Sequence, residues 1–471
     1  MTNRVRPTKR FRRRPRRKGA IVVLAALLMV LMVAMLAFSI DSGYIASCRT
    51  DIQRSVDAGA FAGAGVLAEG IVVADQAARE YTRYNRVGNS EIENGLIDVE
   101  FGQWDDASRS FTPNADEPSA VRVLAREGNQ PFFFGRVFGH NTFDISAEAI
   151  ATYRPRDIMV VLDYSASMND DSELRHIGKL GRRAIEQNLF QIYRELGSPT
   201  FGTMQWQPVS VPSRNNAVIK ATLGLDKIPY PYPSGSWDDY INYVKSSNYL
   251  SSAGYRNKYG YLTLVNYWLE RKPRYSQTPD LWQTSEQPIT AVKDAVQVFL
   301  SYMQAVETLD QVGLSVYTAP NGGGKLEVPL TRDYQQIEDV SRQRQAGHYD
   351  NFTNISAGLR EARLELEKKG RAGALRMIVL MTDGIANRPS NPTVAKREVL
   401  KEARLAADSK FPVVTISLGA GADKALMQQV ADITGGVHFN IPGGQSVAAY
   451  EEDLKEVFKQ IADDRPLRLV H

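Results

Sequence analysis

The chain has 471 residues, of which 43% are hydrophobic and 23% charged, so it is long enough for two or three folded domains and unlike a disordered protein. Ten Lys and Arg lie within residues 1–18, and without them the net charge of +4 becomes −6, which argues against a nucleic-acid-binding surface on the rest of the chain. The single cysteine, Cys48, excludes an intramolecular disulfide, and we interpret it as a small apolar residue on a helix.

A membrane-spanning helix is predicted over residues 19–41. Residues 20–40 carry no charge, and about 20 residues at about 1.5 Å each cross a hydrocarbon core of about 30 Å. The basic tail of residues 1–18 lies just before this segment, so the positive-inside rule places the tail in the cytoplasm and the bulk of the chain outside it. We therefore expect a single-pass protein of the inner (cytoplasmic) membrane. A cleaved signal peptide and a nucleic-acid-binding tail are the alternatives.

Residues 42–153 predict a small extracytoplasmic α+β region. Apolar residues keep a helix-compatible spacing after the membrane segment, which indicates that the spanning helix continues outward. Three β-like runs follow, at residues 97–104, 120–125 and 144–153, separated by turn-rich stretches. A long helix packed on a small antiparallel sheet is the arrangement of pilin-like domains.

From residue 156 to about residue 465 the pattern becomes that of an α/β domain. Continuous apolar runs alternate with amphipathic helices, which predicts a doubly wound, mostly parallel sheet covered by helices. The runs are residues 158–162, 312–317, 377–381 and 413–418. Residues 170–285 break the pattern, since ten of the 21 tyrosines lie between Tyr230 and Tyr275. We interpret this segment as an insertion whose aromatic residues form either a recognition surface or a small core of their own.

Side-chain oxygens that suit a hard cation follow two of these predicted strands. Asp163, Ser165 and Ser167 come directly after the first strand in a D-x-S-x-S motif, Asp383 follows the third, and Thr353 stands at the start of a predicted helix. The carboxyl ends of parallel strands meet at one edge of a sheet, where open α/β folds bind ligands. Because Mg²⁺ prefers oxygen ligands, the sequence predicts an oxygen-only metal site made of these five residues.

The motifs DYSASM, SAGL after Thr353, VLMTDG and VADITGGVHFNI resemble those of the von Willebrand factor A family with a complete metal-ion-dependent adhesion site. The resemblance covers the α/β region apart from its insertion. It implies that Ser165, Ser167 and Thr353 are hydroxyl ligands and that Asp163 and Asp383 act directly or through water. It also implies Mg²⁺, or Mn²⁺, as the cation, and a partner protein whose acidic side chain completes the coordination.

The insertion departs from the family pattern, in which a helix follows the D-x-S-x-S segment closely. Here the extra residues begin beside the metal ligands, so the insertion is placed to cover the site, to select its ligand or to supply one. Asp170, Asp171 and Glu173 are the candidates for an internal ligand. The alternative is that these three residues form a solvated acidic loop.

The first 153 residues resemble the TadG-like components of the Flp, or tight-adherence, pilus system. The likeness lies in RRKGAIVVLAALLMVLMVAMLAFSIDSGYI, QRSVDAGAFAGAGVLAEG, DVEFGQWD, and FFFGRVFG leading to DISAEAIATY. Pilin-like precursors often carry a Glu shortly after a processing glycine, but Gly19 is followed here by Ala20 and an apolar run. Peptidase processing and polymerisation as a pilus subunit are therefore not expected.

These features predict a membrane-anchored adhesion or assembly factor for Flp/Tad pili, with pilus or secretion components as its partners. Two alternatives stay open: a structural scaffold of the pilus or secretion machine, in which the metal only stabilises the fold, and a metal-dependent hydrolase that uses Asp163 and Asp383. The five histidines are scattered, and neither H-E-x-x-H nor G-x-S-x-G occurs. We therefore do not expect an enzyme.

Overall fold

The structure is a computed structural model that divides into two compact units, the first formed by residues 1–153 with 467–471 and the second by residues 154–466. The predicted basic tail, apart from its last residue, lies outside the residues that the structure describes. Those residues are 18–67, 70–88, 90–105, 108–113, 118–153, 155–305, 310–317, 323–371, 374–419, 421–441, 447–463 and 467–470.

Helices and strands are numbered here in chain order. The helices are α1 Lys18–Gly65, α2 Ile71–Tyr84, α3 Ile177–Leu180, α4 Arg182–Glu195, α5 Asn216–Thr222, α6 Trp237–Ser246, α7 Asn248–Ser252, α8 Tyr261–Arg271, α9 Ile289–Ala305, α10 Tyr334–Arg342, α11 Ile355–Lys369, α12 Pro392–Asp408, α13 Lys424–Thr434 and α14 Val447–Asp463. The strands are β1 Arg86–Val87, β2 Ser90–Glu91, β3 Ile97–Asp105, β4 Ser110–Pro113, β5 Ala120–Pro131, β6 Thr142–Tyr153, β7 Arg156–Leu162, β8 Val209–Ser210, β9 Lys258–Tyr259, β10 Gln311–Val316, β11 Lys325–Thr331, β12 Leu375–Thr382, β13 Val413–Leu418, β14 His438–Ile441 and β15 Leu467–Leu469.

The first unit is built on α1, whose 48 residues confirm that the apolar segment continues as one helix far beyond the predicted span. Among the described residues, α1 is long and apolar enough to cross a membrane. Its second half packs on α2, and Gly59 permits the close approach. A Cβ at Gly59 would overlap Thr82 Oγ1 and lie 2.7 Å from the carbonyl oxygen of Ala78. Cys48 is fully buried on α1, which agrees with its interpretation as a small apolar residue on a helix.

The sheet of the first unit is antiparallel, with the strand order β15-β6-β5-β3-β4. The three β-like runs predicted in this region are confirmed as β3, β5 and β6. Sequence analysis assigned no element to the C-terminal residues, but β15 pairs with residues 151–153 at the end of β6. The second unit is therefore inserted in the chain between two neighbouring strands of the first.

The second unit contains the predicted parallel sheet, with the strand order β11-β10-β7-β12-β13-β14. The four apolar runs are confirmed as β7, β10, β12 and β13, and among the described residues of this six-stranded sheet only the edge strand β11 runs antiparallel to its neighbour. Alternate residues of β7 belong to two cores: Val160 packs with α9 and α14, and Val161 packs with α11 and α12. Helices thus cover both faces of the sheet, which confirms the doubly wound α/β fold.

The insertion folds as a helical subdomain around a hydrophobic core of its own. Trp237, Tyr240, Tyr267 and Trp268 are all buried in this core. Of the two interpretations of the aromatic residues, the internal core therefore accounts for most of them. Such a core holds the subdomain together as a body that can position the loops next to it.

Candidate metal site

The carboxyl ends of the neighbouring parallel strands β7 and β12 bring two carboxylates to one edge of the sheet, since Asp163 follows β7 and Asp383 follows β12. Asp163 is fully buried. Its carboxylate accepts the backbone N–H of Ser165 at 2.7 Å and the hydroxyl of Thr382 at 3.2 Å. These two hydrogen bonds fix Asp163 at the base of the site.

A chain of hydroxyl groups connects the D-x-S-x-S loop to Asp383. The hydroxyl oxygens of Ser165 and Ser167 lie 2.9 Å apart, and the Ser167 hydroxyl donates to Asp383 Oδ1 at 2.8 Å. Ser165 also occupies the N-cap position of the short 3₁₀ helix at residues 166–172, where its carbonyl oxygen accepts the N–H of Met168 at 3.1 Å. Four of the five predicted ligands are therefore joined in one hydrogen-bonded cluster.

The fifth predicted ligand, Thr353, reaches the same place from the loop before α11. A Cβ built on Gly384 would lie 3.5 Å from Ser167 Oγ and 3.9 Å from Thr353 Oγ1, so both hydroxyls face the residue that follows Asp383. The Thr353 backbone is tied to this loop, because its N–H donates to Asn387 Oδ1 and its carbonyl oxygen accepts the N–H of Asn387, each at 2.9 Å.

The close approach of α11 to the sheet depends on Gly358. A Cβ at this position would lie 2.6 Å from Tyr317 Cβ and 2.9 Å from Val161 Cγ1, so a larger residue would push α11 away. The helix begins at the N-cap Asn354, whose side chain accepts the N–H of Ala357. The cap and the glycine together hold Thr353 at the sheet edge.

The two carboxylates of the cluster interact electrostatically. Burial, followed by the adjacent Asp163 carboxylate, raises the pKa of Asp383 well above its usual range. The charged forms of Asp163 and Asp383 therefore destabilise each other unless a positive charge lies between them. Ser167 and Asp383 are only partly buried, whereas Asp163 and Ser165 are buried, so the cluster opens to solvent on one side.

The donor set fits Mg²⁺ or Mn²⁺, because it consists of carboxylate and hydroxyl oxygens only. Within the part of the chain that the structure describes, no group of three or more His, Cys, Asp or Glu could hold a metal. A cation site here would consequently depend on the three hydroxyls as well as the two carboxylates. The structure brings the five residues together, and their role as metal ligands stays a prediction.

Tyr317 is a further residue at this edge that sequence analysis missed. It follows β10 and is fully buried, and its hydroxyl donates to the carbonyl oxygen of Met381 at 2.9 Å. Burial and the nearby Asp163 carboxylate raise the pKa of Tyr317 well above its usual range, which keeps the phenol protonated. Its position as the last residue of the apolar run 312–317 was the available signal.

Helix α8 of the insertion contacts the segment that directly follows the D-x-S-x-S motif, in which Asn169 precedes the insertion and Leu174 lies near its start. The side-chain amide of Asn169 donates to the carbonyl oxygen of Leu269 at 3.1 Å, and the N–H of Leu174 donates to Asn266 Oδ1 at 2.7 Å. Asn169 and Asn266 are both fully buried, so these hydrogen bonds do not compete with water. We call this pair of contacts to α8 the insertion brace.

The end of the insertion also holds the loop that leads to Thr353. The N–H of Ala346 donates to the buried Glu286 carboxylate at 2.8 Å, and the side-chain amide of Gln345 donates to the carbonyl oxygen of Thr278 at 2.9 Å. Arg274 forms an ion pair of 2.8 Å with Asp350 in the same loop. The insertion thus contacts two of the three loops that supply the cluster.

The three acidic residues next to the motif have different surroundings. Arg175 pairs with both Asp170 and Glu173. The interpretation as a solvated loop is wrong for Glu173, which is buried and whose pKa is raised well above its usual range by that burial. Asp171 Oδ1 lies 3.4 Å from His176 Nδ1. The charge of Asp171 also contributes, after burial and Asp163, to the raised pKa of Asp383. Asp171 is therefore the one of the three whose charge acts on the cluster.

Three family models match the chain. Residues 19–66 match a TadE/G-like Flp pilus-assembly model, residues 62–151 match a Tad-like Flp pilus-assembly model, and residues 282–453 match the von Willebrand factor type A domain. No curated relative matches the chain.

Several solved structures are similar to this chain. An aerotolerance-related membrane protein from Bacteroides fragilis is 17% identical, with a TM-score of 0.29, over 37% of this chain and 90% of its own. A von Willebrand factor type A protein from Catenulispora acidiphila is 9% identical, with a TM-score of 0.32, over 77% of this chain and 48% of its own. The pilus adhesin SpaC from Lactobacillus rhamnosus GG is 14% identical, with a TM-score of 0.34, over 78% of this chain and 34% of its own. No function is carried over from scores this low.

Proposed function

Because the chain joins a Tad-type pilus-assembly region to a von Willebrand factor type A domain, we propose that it is a membrane-anchored binding protein of a Tad-type pilus system whose binding depends on a divalent cation. The observation that carries the proposal is the oxygen cluster at the edge of the sheet. Two carboxylates and two serine hydroxyls are joined there by hydrogen bonds, and a third hydroxyl faces the same point.

In this proposal Ser165, Ser167 and Thr353 hold Mg²⁺ or Mn²⁺ through their hydroxyl oxygens, and Asp163 and Asp383 balance its charge. The bound cation would supply a Lewis-acidic position for an acidic side chain of a partner protein. The partly exposed side of the cluster, at Ser167 and Asp383, is where that side chain would enter. Pilus or secretion components are the proposed partners, and no reaction is assigned to the site.

The apolar helix α1 supports anchoring in a membrane. We propose the cytoplasmic membrane, with the basic N-terminal tail inside and both units on the opposite side, since the positive charge precedes the apolar run. The cation site would then be available to partners outside the cytoplasm.

Capture of partners tests the proposal. Full-length protein in detergent is immobilised and exposed to an envelope extract of the bacterium that makes it, in Mg²⁺ and in EDTA, with the Asp163→Ala variant in parallel. Asp408→Ala is the matched control, because Asp408 is exposed at the end of α12. We expect pilus components to be captured by the wild type and the control in Mg²⁺ alone.

Two outcomes would change the assignment. Capture that survives both EDTA and Asp163→Ala contradicts metal-dependent binding and favours a scaffold in which the cluster has no part in recognition. Hydrolysis of a phosphate ester in Mg²⁺, lost in Asp163→Ala, would instead favour the hydrolase alternative.

A further inference from the structure

The loop between β5 and β6 exposes an unusual amount of apolar surface. Residues 132–141, here called the phenylalanine loop, contain three consecutive phenylalanines and a fourth nearby. The exposed fractions are 59% for Phe133, 39% for Phe134, 82% for Val137 and 71% for Phe138. Four large apolar side chains grouped in one short loop mark a contact surface, because scattered single residues are the norm on soluble surfaces.

The phenylalanine loop is clamped to α1 by Asp41. The Asp41 carboxylate accepts backbone N–H groups from Phe133 at 2.9 Å, Phe134 at 3.2 Å and Gly135 at 2.7 Å. Asp41 is only 8% exposed. Hydrogen bonds to an ionised carboxylate are strong, so the loop keeps a fixed height along the helix.

The phenylalanine loop lies level with the C-terminal end of the apolar run of residues 20–40. Phe132, Phe134 and Phe138 line a common recess with Ala34, Ala37 and Phe38 of α1. Ala34 precedes Asp41 by seven residues, which is about 10 Å along a helix. The phenylalanine loop therefore lies beside the last two turns of the uncharged segment. If α1 crosses a bilayer, those turns lie where hydrocarbon gives way to headgroups.

We propose that the phenylalanine loop is a second membrane contact, which inserts its exposed side chains into the leaflet that surrounds the C-terminal end of the apolar run. The inference rests on the proposed anchoring of α1. Aromatic side chains favour this interfacial zone, and apolar groups that enter it are buried about 5–10 Å deep. Arg136 and His140 of the same loop are exposed beside these groups, within reach of lipid phosphates.

The consequence for the protein is a fixed orientation. The tilt and rotation of a spanning helix are set by the groups that anchor it at the interface, and a clamped loop adds a second point of attachment beside the helix. The first unit would then keep one face of its sheet at a constant angle to the membrane. Partners that approach from the membrane surface would meet the first unit in one orientation.

Depth-dependent quenching tests the contact in the full-length protein. In a Cys48→Ala background, single cysteines at Phe138→Cys, Phe38→Cys and Val218→Cys are labelled with the fluorophore NBD and placed in nanodiscs of phosphatidylcholine and phosphatidylglycerol. Doxyl groups at different depths of the lipid chains quench fluorophores nearby. Val218 is 48% exposed on α5 and serves as the water-exposed control, and Phe38 reports on the anchor helix.

We expect shallow doxyl groups to quench the probes at residues 38 and 138 to a comparable extent and to leave the probe at 218 unchanged. Quenching at residue 38 without quenching at 138 overturns the loop contact but leaves the anchor intact. Absence of quenching at both positions contradicts the anchor itself. A probe at 138 that is shielded from lipid and from aqueous quenchers indicates a protein partner and also overturns the proposal. Val137→Cys repeats the test if Phe138→Cys does not fold.

Discussion

Two regions of the molecule use buried carboxylates in opposite ways. Asp41 in the first unit accepts three backbone N–H groups of the phenylalanine loop, so its charge is fully used in holding the fold together. Asp163 and Asp383 in the second unit lie close enough that Asp163 raises the pKa of Asp383, and a serine hydroxyl donates to Asp383. An aspartate side chain is thus a structural clamp in the first unit, whereas two aspartate side chains repel each other in the second.

The two arrangements have different consequences for the folded state. A carboxylate with several N–H donors stabilises the folded state without any ligand. Two adjacent carboxylates that are both charged destabilise the folded state unless one takes up a proton or a cation lies between them, and such pairs are typical of functional sites. Substitutions in the two regions should therefore have different effects.

The largest effect is expected for Asp163→Ala. Loss of a carboxylate from the cluster should weaken Mg²⁺ binding by more than about 100-fold, beyond the range usual for outer-shell partners of a metal. The Mg²⁺ concentration that gives half of the thermal stabilisation measures this change. Without Mg²⁺ the variant should lose about 1–3 kcal/mol of unfolding free energy, because the Ser165 N–H and the Thr382 hydroxyl lose a buried acceptor. A variant that keeps the Mg²⁺ affinity of the wild type would make Asp163 a structural clamp like Asp41.

Asp41→Ala should have the opposite profile. Three N–H groups of the phenylalanine loop lose their acceptor, which lowers the free energy of opening the loop by about 2 kcal/mol. Amide exchange in residues 132–141 should therefore be roughly 30-fold faster. Hydrogen–deuterium exchange with mass spectrometry measures the rate. Mg²⁺ should leave it unchanged, since the cluster belongs to the other unit. Exchange that is already fast in the wild type would contradict the clamp.

A smaller effect is expected for Asn266→Ala, which removes one half of the insertion brace. The N–H of Leu174 loses its acceptor, and the loop of Ser165 and Ser167 becomes less well positioned. We expect Mg²⁺ affinity to fall by about 10-fold, as for other residues that act behind metal ligands. Asn248→Ala on the exposed end of α7 is the control. Unchanged affinity with a lower melting temperature would limit Asn266 to the stability of the insertion.

The smallest effect concerns His348 in the loop that leads to Thr353. Burial, followed by the Arg344 charge, lowers the pKa of His348 to about 3, so the folded protein keeps it neutral. In the unfolded chain the His348 side chain takes up a proton below about pH 6.5. The free energy of unfolding therefore decreases as the pH falls through that value. Between pH 7 and pH 5.5 the free energy of unfolding of the wild type should fall by about 1 kcal/mol more than that of His348→Gln. Denaturant titrations at the two pH values measure the difference, and equal losses would show that His348 is solvated.

Local sequence patterns predicted much of this architecture. Apolar runs gave β7, β10, β12 and β13, and their carboxyl ends located the cluster, because strand period and strand direction are local properties. The pairing of β15 with β6 was not predictable, since three residues carry no recognisable pattern and their partner lies more than 300 positions away. The hydrogen bonds between Asp41 and the phenylalanine loop were not predictable for a related reason. Its three donors are backbone groups, which leave no trace in residue types.

The insertion shows the same limit. Its aromatic content indicated either a surface or a core, and only the packing of Trp237 and Trp268 decided for the core. In the insertion brace the Asn169 side-chain amide donates to the Leu269 carbonyl oxygen, and the Leu174 N–H donates to the Asn266 side chain. Each bond joins a side chain to a backbone group, so the brace leaves no sequence motif. Contacts of this kind depend on how helices are placed, which is set by the whole core.

Calorimetric titration of the full-length wild type with Mg²⁺ in detergent tests the central claim most directly. We predict saturable binding of one cation per chain, with a rise in melting temperature that follows the same saturation curve. A folded protein that takes up neither Mg²⁺ nor Mn²⁺ would contradict the claim, because the carboxylates of Asp163 and Asp383 would then be held together without the cation that we propose balances them.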